Sequence, residues 1–173
     1  MKSEATPPRC RKACPDVRTW AIDQSNGTGK PMKRHATAVW HGALGDGKGD
    51  LTTQSGALDH HGYSFRARFE DESGKSGTNP EELLAAAHAG CFAMQLSHFL
   101  AENGTPAETL DAKAVVTLDP AAGQVTSSAI TLKGTVPGID AATFQQLAEK
   151  AKAGCPISKA LGAITVTLEA SLV

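Results

Sequence analysis

At 173 residues, with 40% apolar and 20% charged side chains, the chain suits one globular domain with a sizeable core. Its 17 Lys and Arg against 18 Asp and Glu leave a formal charge of −1 and no basic run, which argues against nucleic acid or an anionic membrane as partner. No unbroken apolar run approaches the roughly 20 residues of a membrane helix. No apolar stretch follows the basic residues near the amino terminus, as a secretory signal requires, so the expectation is a cytoplasmic protein.

Residues 1–31 carry three prolines ahead of Pro31, scattered charge, an Asn26-Gly27-Thr28-Gly29 stretch and no hydrophobic period. They read as a disordered extension, or as residues upstream of the natural start, since Met32 can itself initiate. Cys10 and Cys14 lie there at a spacing that begins some zinc sites, but no second ligand pair follows nearby. They read as two exposed thiols on a tail. The folded domain is expected over 32–173.

It opens with a strand over His35–His41, a glycine-rich turn from Gly42 to Gly49, and a second strand over Asp50–Ser55. Tyr63–Phe69 then alternates strictly. Tyr63, Phe65, Ala67 and Phe69 fall on one side and Ser64, Arg66 and Arg68 on the other, which predicts the third strand of an antiparallel meander. The loop Glu70–Gly77 is charged and expected to be exposed. Asn79 is an N-cap by type, Pro80 suits the first helical position, and Glu81 and Glu82 complement a helix amino end.

That helix is expected to run to about Asn103 and stop at Gly104, with Leu84, Ala87, Cys91, Met94 and His98 on its inward stripe. Strands over Leu110–Leu118 and Val125–Val136 follow, joined by a turn at 119–123. Asp140 caps a second helix reaching about Ala153, with Phe144 and Leu147 inward, and Gly154 closes it. Cys155-Pro156 opens a short helical turn, and Ala163–Leu172 is the final strand. Three strands, helix, two strands, helix and strand make an α+β arrangement.

Two cysteines of the body, Cys91 and Cys155, carry the chemistry of interest. A thiolate is a strong nucleophile that peroxides oxidise readily, whereas a buried thiol is usually a small hydrophobe. Ala85-Ala86-Ala87 and Ala89-Gly90 leave room for something to approach Cys91. Burial raises a thiol pKa, so activation needs a cation. Arg68 is the candidate, Arg66 shares its face, and Glu81 or Glu82 is the candidate carboxylate to hold the guanidinium.

Along an unbroken helix Glu81 and Cys91 stand about 15 Å apart on different faces, so one arginine cannot readily touch both. Either the helix is interrupted or the groups meet across a subunit boundary; this is a reason to expect a homodimer. Cys155, at the amino end of the turn starting at Pro156, would feel that end's partial positive charge and so competes to be the more acidic thiol. His88, three residues before Cys91, is the candidate base of a cysteine acyl-transfer enzyme, although neither an oxyanion hole nor an orienting partner is evident, and a core or interface position is the commoner place for such a histidine. His60-His61 lacks companions to complete a metal site.

Several stretches resemble one known family: Gly77-Thr78-Asn79-Pro80-Glu81-Glu82-Leu83-Leu84, Ala86-Ala87-His88-Ala89-Gly90-Cys91-Phe92, Val136-Pro137-Gly138-Ile139-Asp140 and Ala153-Gly154-Cys155-Pro156. In this order they resemble the OsmC/Ohr family of hydroperoxide reductases, nearer to the osmotically inducible OsmC branch than to the organic hydroperoxide resistance branch. The resemblance covers about Met32 to Val173. It implies an obligate, intertwined homodimer in which antiparallel sheets wrap two central helices and both active sites lie at the subunit boundary.

It further implies that Cys91 is the peroxidatic thiolate and Cys155 the resolving thiol that closes an internal disulfide. Arg68, within Arg66-Ala67-Arg68-Phe69-Glu70, would steady the thiolate and polarise the peroxide, and Glu81 would orient Arg68. No flavin, haem or metal is implied; reduction would come from a dithiol, in this family often a lipoylated protein. Organic hydroperoxides and hydrogen peroxide are the implied substrates. The alternatives are a non-catalytic redox-sensing dimer and the acyl-transfer enzyme using His88.

Overall fold

A computed structural model describes residues 31–173; the expected extension, with Cys10 and Cys14, lies outside the described residues apart from Pro31. Within His35–Val173, the first turns do what their glycines suggest. Strands β1 (Ala36–His41), β2 (Lys48–Thr53) and β3 (His61–Ser64) form an antiparallel sheet in the order β1-β2-β3. Trp40 packs on Tyr63 with ring centroids 5.2 Å apart, a cross-sheet aromatic contact that reinforces the register. Every residue of β1 is exposed in the single chain.

The alternation over Tyr63–Phe69 is misleading beyond Ser64. Phe65–Phe69 is a short helix, α1, so Arg68 lies on a helix and not on the polar face of a strand. Ser64 causes the switch: its Oγ accepts the Ala67 N–H at 3.1 Å and caps the turn. Residues four apart share a face in a strand and in a helix alike, so Phe65 and Phe69 satisfied both periods. In the helix their rings stand 4.9 Å apart.

Helix α2 (Pro80–Glu102) is capped as expected, Asn79 Oδ1 accepting the Glu82 N–H at 2.8 Å. It ends at Asn103, and Gly104 takes the left-handed conformation (φ +79°) that turns the chain away. The inward stripe is His88, Phe92, Leu96 and Leu100, not the expected Leu84–Ala87–Cys91–Met94–His98 set. Ala87 is exposed and Met94 is 70% exposed, while Cys91 sits at the edge. Apolar residues surround this helix, so periodicity could not choose the face. By length and composition α2 would also pass as a membrane span, with mean hydropathy 1.3 over its best window, contrary to the expectation from unbroken runs. His88, Gln95, Ser97 and His98 break the run without lowering the average enough.

Strands β4 (Thr109–Asp119) and β5 (Gln124–Thr135) pair antiparallel and lead into α3 (Ala141–Gly154), α4 (Pro156–Ala160) and β6 (Thr165–Leu172). The second sheet has the order β4-β5-β6, and β6 runs parallel to β5. The expectation of antiparallel sheets throughout is corrected at this pair: the α3–α4 crossover brings the chain back to start β6 in the same direction as β5. Leu110, Ala112 and Ala114 of β4 and Ile130 and Leu132 of β5 turn inward against Phe92, Leu96, Leu100 and Phe144. Full burial of Phe92 and Phe144 contributes roughly 1.5–3 kcal/mol each. Gly134 is required here, since a Cβ on it would stand 2.7 Å from the Phe144 ring.

Candidate active site

Cys91 lies midway along α2 and Cys155 immediately precedes α4, so the packing of these two helices decides where the sulfurs fall. They stand 3.0 Å apart, both free thiols. Cys155 is fully buried and joins the hydrophobic core, while Cys91 is partly open. A disulfide needs sulfurs about 2.05 Å apart, so closing one here takes a movement of roughly 1 Å. The two cysteines, 64 positions apart in sequence, are thus brought together within one chain.

The electrostatics of Cys91 in the single chain are those of a quiet thiol. Burial, first, and the neighbouring Cys155 thiol push it above its ordinary value; the Ile157 backbone N–H pulls the other way. The first turn of α4 therefore offers an N–H to Cys91, and the Cys155 side chain makes no capping bond. The amino end of α4 thus acts on Cys91, through the Ile157 N–H. Arg68 is not among the groups acting on Cys91 within the chain.

Arg68 instead grips Glu81. Its Nε and Nη2 donate to the two carboxylate oxygens at 3.1 and 2.7 Å, a bidentate pair. Arg66 and Glu82 have other partners. Arg66 is diverted to Glu70 at 3.5 Å on an exposed face, and Glu82 accepts the Thr78 hydroxyl at 2.8 Å. A β-bridge from Tyr63 to Thr78 lays the start of α2 beside the end of β3, which places Glu81 next to α1. The intervening exposed loop is gathered by Asp71, whose carboxylate accepts the Ser73, Lys75 and Ser76 N–H groups and the Ser73 hydroxyl. The Ser73 and Ser76 hydrogen bonds hold its carboxyl well below the usual range.

The Arg68 guanidinium also lies over the Phe69 ring, 4.9 Å from its centroid. A recess of about 190 Å³ opens beside it, walled by Trp40, Leu44, Tyr63, Phe65, Phe69 and Pro80. A larger one, about 660 Å³, lies along His61, Lys75, Thr78 and Glu82 and touches neither cysteine nor Arg68.

Of the two places the sequence leaves open to His88, a core or interface position and a base beside Cys91, the structure shows the first. His88 is fully buried, with Nδ1 2.8 Å from Ser128 Oγ and Nε2 2.8 Å from Ser158 Oγ. Both ring nitrogens are therefore occupied, and the acyl-transfer alternative loses its base. Ser128 and Ser158 were not singled out, although a serine at an inward position of β5 is itself a sign of a buried polar partner. Burial lowers the His88 pKa below the ordinary 6.5.

Between that lowered value and 6.5, the unfolded chain binds a proton that the folded chain refuses, so stability falls as pH falls through that window. Thermal melts are expected to show Tm decreasing from pH 7 to pH 5, with the slope reduced in His88→Gln. The hydrogen-bonded carboxylates Asp71 and Asp140 lose their contributions only below about pH 4, so they do not obscure the test. Equal slopes in the two proteins would refute the assignment to His88. Among the described residues no group of three or more His, Cys, Asp or Glu is placed to hold a metal ion.

With this geometry in view, the likenesses to known proteins are informative. Residues 72–169 match the family described as OsmC-like protein. The chain is 47% identical over 143 residues to Peroxiredoxin OsmC of Escherichia coli (strain K12), covering 82% of this chain and 97% of that protein. It is 32% identical over 129 residues to the organic hydroperoxide resistance protein OhrB of Bacillus subtilis (strain 168), covering 73% and 92%. The crystal structure of OhrB superposes with a TM-score of 0.57 at 29% identity, over 81% of this chain and 98% of that one. An OsmC from Legionella pneumophila, titled an organic hydroperoxide resistance protein, gives 0.60 at 26% identity, over 81% and 97%. The chain belongs to the OsmC-like protein family.

Proposed function

We infer that this chain is a cysteine-dependent peroxidase that reduces organic hydroperoxides, and hydrogen peroxide, to alcohols and water. The observation that carries the reading is the pair of free sulfurs 3.0 Å apart on α2 and the α4 turn. The relatives named as a peroxiredoxin and as an organic hydroperoxide resistance protein support it.

In the first step the Cys91 thiolate attacks the outer peroxide oxygen. The O–O bond breaks, Cys91 becomes a sulfenic acid, and the alkoxide leaves as an alcohol after taking a proton. In the second, the Cys155 sulfur attacks the sulfenic sulfur; the S–S bond forms, the S–O bond breaks, and hydroxide leaves as water. A dithiol, by resemblance a lipoylated protein, then reduces the disulfide and is itself oxidised. The electrons come from that reductant, so the cycle calls for no flavin, haem or metal. Regeneration of the thiol pair by a dithiol fits a reducing compartment such as the cytoplasm.

Arg68 and Glu81 complete the site in this reading, but from the second copy of a homodimer. Helix α2 is continuous from Pro80 to Glu102, which removes the interrupted-helix option. Arg68 is committed to Glu81 in its own chain, and no cation among the described residues acts on Cys91 there. The uncovered faces of β1 and of α2 around Ala87, Gly90 and Met94 suit burial against a partner. The aromatic walls of the recess beside Arg68 suit the apolar part of an alkyl or aryl hydroperoxide.

The test is turnover of tert-butyl or cumene hydroperoxide with dithiothreitol and then a dihydrolipoyl protein. A redox sensor would instead consume about one equivalent and stop. Cys155→Ser is expected to reduce one equivalent and leave a trappable sulfenic acid on Cys91. Mass spectrometry of the oxidised wild type should find the Cys91–Cys155 disulfide; mixed disulfides alone would overturn the assignment of Cys155.

A further inference from the structure

The α4 turn has only five residues, too few to hold its own shape, and it opens on a proline that has no N–H to donate. It nonetheless sets the position of Cys155 and of the Ile157 N–H that meets Cys91. Besides the apolar packing of Ile157 on the core, two polar side-chain contacts tie this turn to α2 among the described residues, and they form a ladder. Ser158 meets His88 at 2.8 Å, and Cys155 meets Cys91 at 3.0 Å. The offset is three residues on each strand of the ladder, 88 to 91 along α2 and 158 to 155 back along the turn. One rung is permanent; the other must break, oxidise and re-form in every cycle.

The imidazole is also tied to the sheet. Ser128 of β5 meets its other nitrogen at 2.8 Å, and His88 and Ser128 are fully buried. Neutral imidazole has one donor nitrogen and one acceptor nitrogen, and a serine hydroxyl can serve either, so the chain Ser128–His88–Ser158 is fully satisfied. No buried side-chain polar atom lacks a partner among the described residues. The ring thus fixes the turn's distance from both α2 and β5 without depending on the sulfurs.

The geometry points to His88 as a positioning residue for the resolving step: through Ser158 it keeps the Cys155 turn within closing distance of the Cys91 sulfenic acid. The inference rests on the peroxidase reading for its role but not for its geometry. Disulfide closure tolerates little misplacement of either sulfur, so loss of the permanent rung acts on the second step far more than on attack at the peroxide.

The experiment uses the full-length protein with Ser158→Ala, His88→Leu and His88→Gln. Sulfenic acid formation, timed with one equivalent of tert-butyl hydroperoxide, should stay within a fewfold of wild type. Closure of the disulfide should slow by about tenfold or more in Ser158→Ala and His88→Leu. His88→Gln, which retains a donor and an acceptor, should recover part of the loss.

A second readout does not need peroxide. The thiol–disulfide equilibrium of Cys91 and Cys155 against dithiothreitol, entered from the diamide-oxidised side, should shift about tenfold toward the dithiol in Ser158→Ala. A folded Ser158→Ala protein with wild-type closure rate and equilibrium overturns the proposal, whether or not His88→Leu folds. A wild type that forms the disulfide with diamide yet consumes no peroxide would instead sink the peroxidase reading, leaving the equilibrium shift to decide the role of His88.

Discussion

Cys91→Ser is expected to abolish peroxide reduction, with the rate falling by at least about 10³-fold to that of the dithiol alone. The argument is chemical. A serine hydroxyl is not ionised near neutral pH and has no accessible oxidised state, so it can neither attack the O–O bond nor store an oxygen atom for Cys155 to displace. The fold should tolerate the change, because Cys91 sits at the edge of the core and the buried stripe of α2 is formed by other residues. Steady-state turnover with cumene hydroperoxide, set beside a thermal melt of the same variant, separates lost chemistry from lost structure. Full activity in a folded Cys91→Ser protein would remove the basis of the mechanism.

What the sequence could reveal of this molecule depended on whether the signal was local. Helix α2 was legible at both ends because capping is local: Asn79, Pro80 and Gly104 each act within a turn of themselves. Asp140 marked the start of α3 for the same reason, whereas Gly154 is its last helical residue and Cys155 the cap. The face of α2 was not legible. Apolar side chains surround it, and the choice of His88, Phe92, Leu96 and Leu100 is made by the second sheet and α3, not by the period.

Arg68 was assigned to a strand because a period of two and a spacing of four coincide over five residues. Only the Ser64 cap breaks the tie. The parallel placement of β6 depends on how the α3–α4 crossover folds back, which no residue of β6 records. At the site, the residue types pointed to thiol chemistry, but the 3.0 Å approach of two sulfurs and the serines about His88 are properties of packing. The direction in which Arg68 turns is likewise set by Glu81, thirteen residues away.

That last contact yields the other large effect. Arg68→Met is expected to lower peroxide reduction at pH 7 by about 10²–10³-fold, because Cys91 is then left with the raised pKa it has in a single chain and little of it is thiolate. The sign is testable. The variant's rate should climb about tenfold per pH unit from pH 7 toward its thiol pKa, whereas a wild type whose Cys91 is ionised by Arg68 should be nearly flat. Arg68→Lys should fall between the two, since an ammonium supplies charge but not the two-pronged bond to Glu81.

Pairing the variants locates the arginine. Refolding equal amounts of Arg68→Met and Cys91→Ser chains should give half of the dimers as mixed pairs. If Arg68 serves the Cys91 of its partner, each mixed dimer has one complete site and one site lacking both groups, and the mixture regains about a quarter of wild-type activity. If Arg68 serves its own chain, no complete site exists in any dimer and the mixture stays inactive. Restored activity therefore requires a site shared between subunits; continued inactivity in confirmed mixed dimers would overturn the shared site and return Arg68 to the service of its own chain.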